Sequence, residues 1–176
     1  MKKKRTLTVV AVLLAVLMLG VGYAMISEIS LTITDTSSAI ASPDDSQFEV
    51  KFTEAVKTSA PAYATVSQTI DASDPTKGTI SISGLKAKGD TVVVTYTILN
   101  NSADLAANLV TAVNNDAEGY DKTNFRVTSV LGAGKIEHSA TTTLAITVEL
   151  LTTPISGDLT TKIPVSVTAT ATTPAA

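Results

Sequence analysis

Hydrophobic and polar residues alternate along most of this chain after residue 28. Ile29, Leu31 and Ile33 are separated by Ser30 and Thr32, and Phe48, Val50 and Phe52 by Glu49 and Lys51. The same period of two continues through Ile80 and Ile82, then Val92, Val94, Tyr96 and Ile98. It returns in Leu144, Ile146, Val148 and Leu150, and in Ile163, Val165, Val167 and Ala169. Tyr63 to Ile70, and Phe125 with Val127, fit the same template. A period of two puts successive side chains on opposite faces of an extended chain, so each run predicts a half-buried strand. The outward positions are rich in Thr, which suits a pleated surface.

The gaps carry turn chemistry. They include Pro43-Asp44-Asp45-Ser46, Asp74-Pro75-Thr76-Lys77-Gly78, Lys86 to Asp90, Asn100-Asn101-Ser102, Gly132-Ala133-Gly134 and Gly157-Asp158. These residues tolerate positive φ or preset a turn. Short strands with this punctuation predict an all-β, antiparallel β-sandwich of jelly-roll or immunoglobulin-like type. Ala103 to Val113 fits helical spacing through Leu105, Leu109 and Val113, and also fits a strand face. Its β-branched surroundings favour strand. Pro164 lacks a backbone donor and predicts that the last strand lies at an edge, or that this position needs no ladder donor.

The first 24 residues differ. Lys2, Lys3, Lys4 and Arg5 precede an apolar run from Leu7 to Leu19, and Gly22 and Ala24 follow as small residues. This is the layout of a secretory signal peptide, a helical leader cleaved after Ala24 or, if retained, a membrane anchor. The chain thus divides into a leader, 1–24, and one domain, 25–176. Membrane contact is expected only through the leader, and the destination is secreted, extracellular or at the cell surface.

Composition then narrows the chemistry. The 176 residues carry a net charge of -3, with no Cys, no Trp and one His. Without the leader, four of the 13 basic residues go and all 16 acidic ones stay, so the mature domain is near -7. An acidic domain lacks the basic face that nucleic acid requires. Without cysteine there is no disulfide scaffold, thiol nucleophile or Cys-type metal site. With one histidine there is no two-imidazole site.

Candidate catalytic or ligand-binding residues are few. His138 sits in a predicted turn, and no nucleophile-elbow or triad pattern accompanies it. Asn114-Asn115-Asp116-Ala117-Glu118-Gly119 resembles the first half of a calcium loop, but Phe125 occupies the twelfth position where the loop needs Glu. Asp44, Asp45, Asp71 and Asp74 read as Asx turns. Asn100-Asn101-Ser102 matches a glycosylation sequon and equally a hairpin turn. No catalytic residue, cofactor or metal is expected.

Two stretches carry a family resemblance. One runs from Gly20-Val21-Gly22-Tyr23-Ala24 into Ser30-Leu31-Thr32-Ile33-Thr34-Asp35-Thr36. The other is Gly84-Leu85-Lys86-Ala87-Lys88-Gly89-Asp90 with Val94 to Ile98 and Asn100 to Asp104. Together they resemble the TasA/camelysin group of exported β-sandwich proteins, which includes biofilm-matrix fibre subunits and archaeal bundling pilins. The resemblance implies a subunit of an extracellular filament, a pilus or matrix fibre; an enzyme is not expected, because no constellation of residues supports one.

A physical argument runs beside it. A strand near the mature amino terminus, about 28–36, has a free end and can enter a neighbour's open sheet. Repeated head to tail, that contact does not close and builds a filament. Ile29, Leu31 and Ile33 are the expected interface residues of this donor strand. The expected partners are further copies of the chain and other surface or matrix components. A secreted or tethered immunoglobulin-like binding or adhesion domain is the alternative, with the same strand paired inside its own chain.

Overall fold

The computed structural model describes residues 28–33 and 48–175. The expected leader 1–24, the expected turn at 43–46 and residues 34–36 of the expected donor segment lie outside the described residues. Ten strands follow in chain order: β1 (Glu28–Ile33), β2 (Val50–Ser59), β3 (Thr65–Ile70), β4 (Lys77–Ser83), β5 (Thr91–Asn100), β6 (Ala106–Val113), β7 (Phe125–Leu131), β8 (Lys135–Ile136), β9 (Thr141–Leu150) and β10 (Val165–Thr172). The described residues contain no helix and are all-β.

The strands form two sheets. One has the order β3-β4-β1-β10-β6-β8 and the other β2-β5-β9-β7. Every pairing is antiparallel except that of β1 with β4. The alternation sets which residues enter the core. On β5, Val92, Val94, Tyr96 and Ile98 are buried while their neighbours remain partly exposed. On β9 the buried set is Thr142, Leu144, Ile146, Val148 and Leu150. Leu31, Val165, Val167 and Ala169 of the six-stranded sheet join the same hydrophobic cluster as Phe52, Tyr96 and Ile146 of the four-stranded one.

The ambiguous stretch is extended over Ala106–Val113, because it pairs with β10 along its whole length. Burial of Ala107 and Leu109 in the core overrides the helix propensity of its alanines. Of the two alternatives that Pro164 left open, the second holds. The last strand is not an edge: β10 lies between β1 and β6. Pro164 stands just before it and needs no ladder donor, while its carbonyl accepts from Asn114 N at 2.9 Å. Just before the turn that holds His138, Lys135–Ile136 forms the two-residue strand β8 against Ala107 and Asn108.

Candidate functional site: the first strand and its slot

β1 occupies a slot whose two walls are distant in sequence. Its register against β10 is continuous from Glu28 opposite Thr170 to Ile33 opposite Val165. Against β4 only Thr32–Lys77 and Ile33–Gly78 are paired. The strand is therefore laddered along its full length on one side and only at its end on the other. Leu31 is 0% exposed and stands opposite Val167, itself fully buried. Ile29 and Ile33 hold ladder positions opposite Ala169 and Val165. Burying a side chain such as Leu31 contributes roughly 1.5–3 kcal/mol.

Beside the slot, Gly78 on β4 faces the ring of Tyr96. A Cβ at Gly78 would lie 2.7 Å from Tyr96 Cε1, so the ring fits only against glycine. The Tyr96 hydroxyl donates to the Thr79 carbonyl at 2.8 Å. Phe52 stacks at a tilt on the same ring, with centroids 5.0 Å apart. Burial pushes the Tyr96 phenol far above its ordinary value, so it stays a neutral donor.

The polar candidates fall elsewhere. His138 is exposed in the turn whose Ala140 N–H donates to Glu137 O at 3.1 Å. Asn100 is neither a glycan acceptor on the surface nor an exposed turn residue. It is fully buried, and its amide donates to Leu105 O at 2.8 Å, with Glu137 O at 3.2 Å and Ile136 O at 3.4 Å. Its Oδ1 accepts Ser102 N at 3.1 Å. That hub ties the end of β5 to two later segments, and a period-two pattern cannot distinguish it from a turn.

The calcium-loop resemblance resolves into local turns. Asn114 Oδ1 accepts Asp116 N, and Asp116 pairs with Lys122 at 3.3 Å. Asp121 accepts the amide of Asn124 and the backbone N–H groups of Thr123 and Asn124. Those bonds, led by the Asn124 amide, hold its carboxyl below the ordinary range. Asp71 and Asp74 are Asx turns as expected. Asp71 Oδ1 accepts from Ser73 and Asp74, and Asp74 accepts from Thr76 and pairs with Lys77 at 2.8 Å. Among the described residues no three His, Asp or Glu side chains converge on a possible metal position.

A second latch was not legible in the sequence. Tyr63 Oη donates to Asp90 Oδ1 at 2.6 Å, while Asp90 Oδ2 accepts Lys86 N at 2.7 Å and Ala87 N at 3.0 Å. The Lys86 ammonium lies 5.0 Å from the Tyr63 ring centroid. This fastens the turn before β3 to the turn before β5. No family model, curated protein or solved structure matches the chain.

Proposed function

We propose that this chain is the structural subunit of an extracellular filament, a pilus or biofilm-matrix fibre, assembled by donor-strand exchange. In this reading the two sheets form a β-sandwich, residues 1–24 are a signal peptide removed on export, and the mature subunit passes its first strand to the next copy. The observation that carries the reading is the seat of β1. A short strand near the mature amino terminus fills a slot between β10 and β4, and its Leu31 is wholly enclosed there.

The slot walls belong to the rest of the chain, so the same strand from another copy meets the same partners. Transfer in trans keeps every contact and adds a link between subunits. The short ladder to β4 lowers the cost of release. The likeness of the leader exit, the first strand and the Gly84–Asp104 region to the TasA/camelysin group supports the same reading.

The intrachain pairing of β1 also suits a self-contained immunoglobulin-like binding or adhesion domain. Negative-stain microscopy of the mature chain separates the two: ordered filaments support the subunit, and monodisperse particles support the binding domain. Deletion of residues 28–36 then abolishes filaments. Filaments that persist without this segment refute exchange through it.

A further inference from the structure

The sheet edges of this protein are not guarded alike. Exposed edges invite pairing with another chain, and natural sheets blunt them with charge, bulges, brevity or cover. β2 carries Lys51, Glu54 and Lys57 and two breaks of register against β5. β8 is two residues long. β3 lies beside β2, with Gln68 Nε2 donating to Ala55 O at 3.5 Å. β7 is neither short nor broken in register, and β6, which lies beside it, meets it through an inward side-chain bond, Thr111 Oγ1 to Ser129 Oγ at 2.8 Å, rather than through its backbone edge. The register of β7 against β9 runs unbroken from Phe125 to Leu131, and Arg126 is its one charged residue.

The hydrogen-bond phase of β7 is fixed. Leu151 N donates to Asn124 O and Gly132 N to Thr143 O, so even-numbered residues face β9 and odd-numbered ones face outward. Tyr120 covers the first part of the outward edge: its hydroxyl accepts Val127 N at 3.0 Å and lies 3.4 Å from Phe125 O. Beyond it, the Ser129 N–H and C=O, the Val127 C=O and the Leu131 N–H have no hydrogen-bond partner among the described residues. These groups are self-complementary about a two-fold axis at Ser129. In an antiparallel pair of two β7 strands, Ser129 exchanges both bonds with its symmetry mate, and each Leu131 N–H meets the other copy's Val127 C=O.

We propose that β7 is a second, two-fold contact surface, whose occupant is β7 of another copy paired antiparallel about Ser129. The contact joins two four-stranded sheets into one continuous sheet of eight. Tyr120 sets its limit by holding the Val127 N–H that a longer ladder would use. Charge permits it. In this register Arg126 of one copy falls across from Gly132 of the other, so no like charges oppose, although the mature domain as a whole is acidic. Thr128 falls directly across from Val130, and both lie exposed on the outer face, Val130 at 63%. The contact is isologous and uses no part of β1, so it stands or falls independently of strand exchange.

The cysteine-free chain makes the test clean, because each disulfide joins introduced thiols. Directly opposed positions that are not hydrogen-bonded bring their side chains closest, within the range that a disulfide spans. Mature T128C and V130C chains are prepared separately, then oxidised alone and as a mixture. The proposal expects a disulfide-linked heterodimer in the mixture, in large excess over the dimer that either variant forms alone. Equal yields alone and mixed, or no dimer in the mixture, overturn it. A second pair of variants does not depend on oxidation. T128K/V130K sets Lys against Lys and abolishes the two-fold contact in sedimentation, and T128E/V130K sets Glu against Lys and retains it. Identical sedimentation of these two variants also overturns the proposal.

Discussion

Tyr96 and Thr79 join the two sheets: the phenol of one, on β5, donates at 2.8 Å to the backbone carbonyl of the other, on β4. The bond is part-buried: the Tyr96 ring is enclosed, while Thr79 lies on an exposed position of β4. Tyr96→Phe removes this link while the carbonyl keeps its ladder position opposite Thr69, with an expected loss of about 0.5–1.5 kcal/mol. Gly78→Ala presses a methyl group against the same ring and costs about 1–3 kcal/mol by overpacking. Chemical denaturation of the two variants checks both values. A wild-type midpoint for either contradicts this account of the sheet junction.

Asn100 is the second polar anchor. Its amide reaches the carbonyls of Leu105, Ile136 and Glu137, and its Oδ1 accepts Ser102 N. Asn100→Ala strands several buried groups at once, and we expect a loss of about 2–3 kcal/mol. Asn101→Ala, one residue on and exposed, is expected to lose less than about 1 kcal/mol. Equal effects of the two variants would show that Asn100 is a turn residue and no hub.

The acidic turns predict the pH profile. The Tyr63 hydroxyl first, then the Lys86 and Ala87 N–H groups, hold the Asp90 carboxyl below its ordinary value of 3.8. Lys77 and Thr76 do the same for Asp74, Ser73 for Asp71, and Asn124 for Asp121. A carboxyl whose folded value lies below its unfolded one stabilises the fold above the unfolded value. That contribution is lost as pH falls through the folded value. These groups therefore add no slope between about pH 5 and 7, and stability falls below about pH 4. Tyr63→Phe removes the largest cause at Asp90, so its carboxyl titration by NMR moves up toward 3.8. An unchanged Asp90 midpoint contradicts the latch.

The strands were legible because their signal is local. Thr91 to Ile98 and Thr143 to Leu150 bury the residues that a period of two predicts, although Val93 and Ala145 put apolar side chains at outward positions. Strand order was not legible, since it depends on partners far apart in the chain. Pro164 illustrates this. Its missing donor left open an edge strand or a position with no ladder bond, and only the strand order decides for the second. Asn100, Tyr63 and Asp90 act through long-range hydrogen bonds, and residue type alone carries no trace of those. The open edge of β7 also needed the structure, because it is defined by where Tyr120 and β9 reach.

Donor-strand exchange is the central claim, and a single disulfide scan tests it most directly. Ser30 stands opposite Thr168 in the β1–β10 ladder, and the chain supplies no competing thiol. S30C/T168C, assembled and then oxidised, is run on a non-reducing denaturing gel. Exchange predicts a ladder of covalent multimers, because the two thiols meet between copies. Monomers closed by an internal disulfide, with no ladder, would place the strand in its own chain and contradict the account.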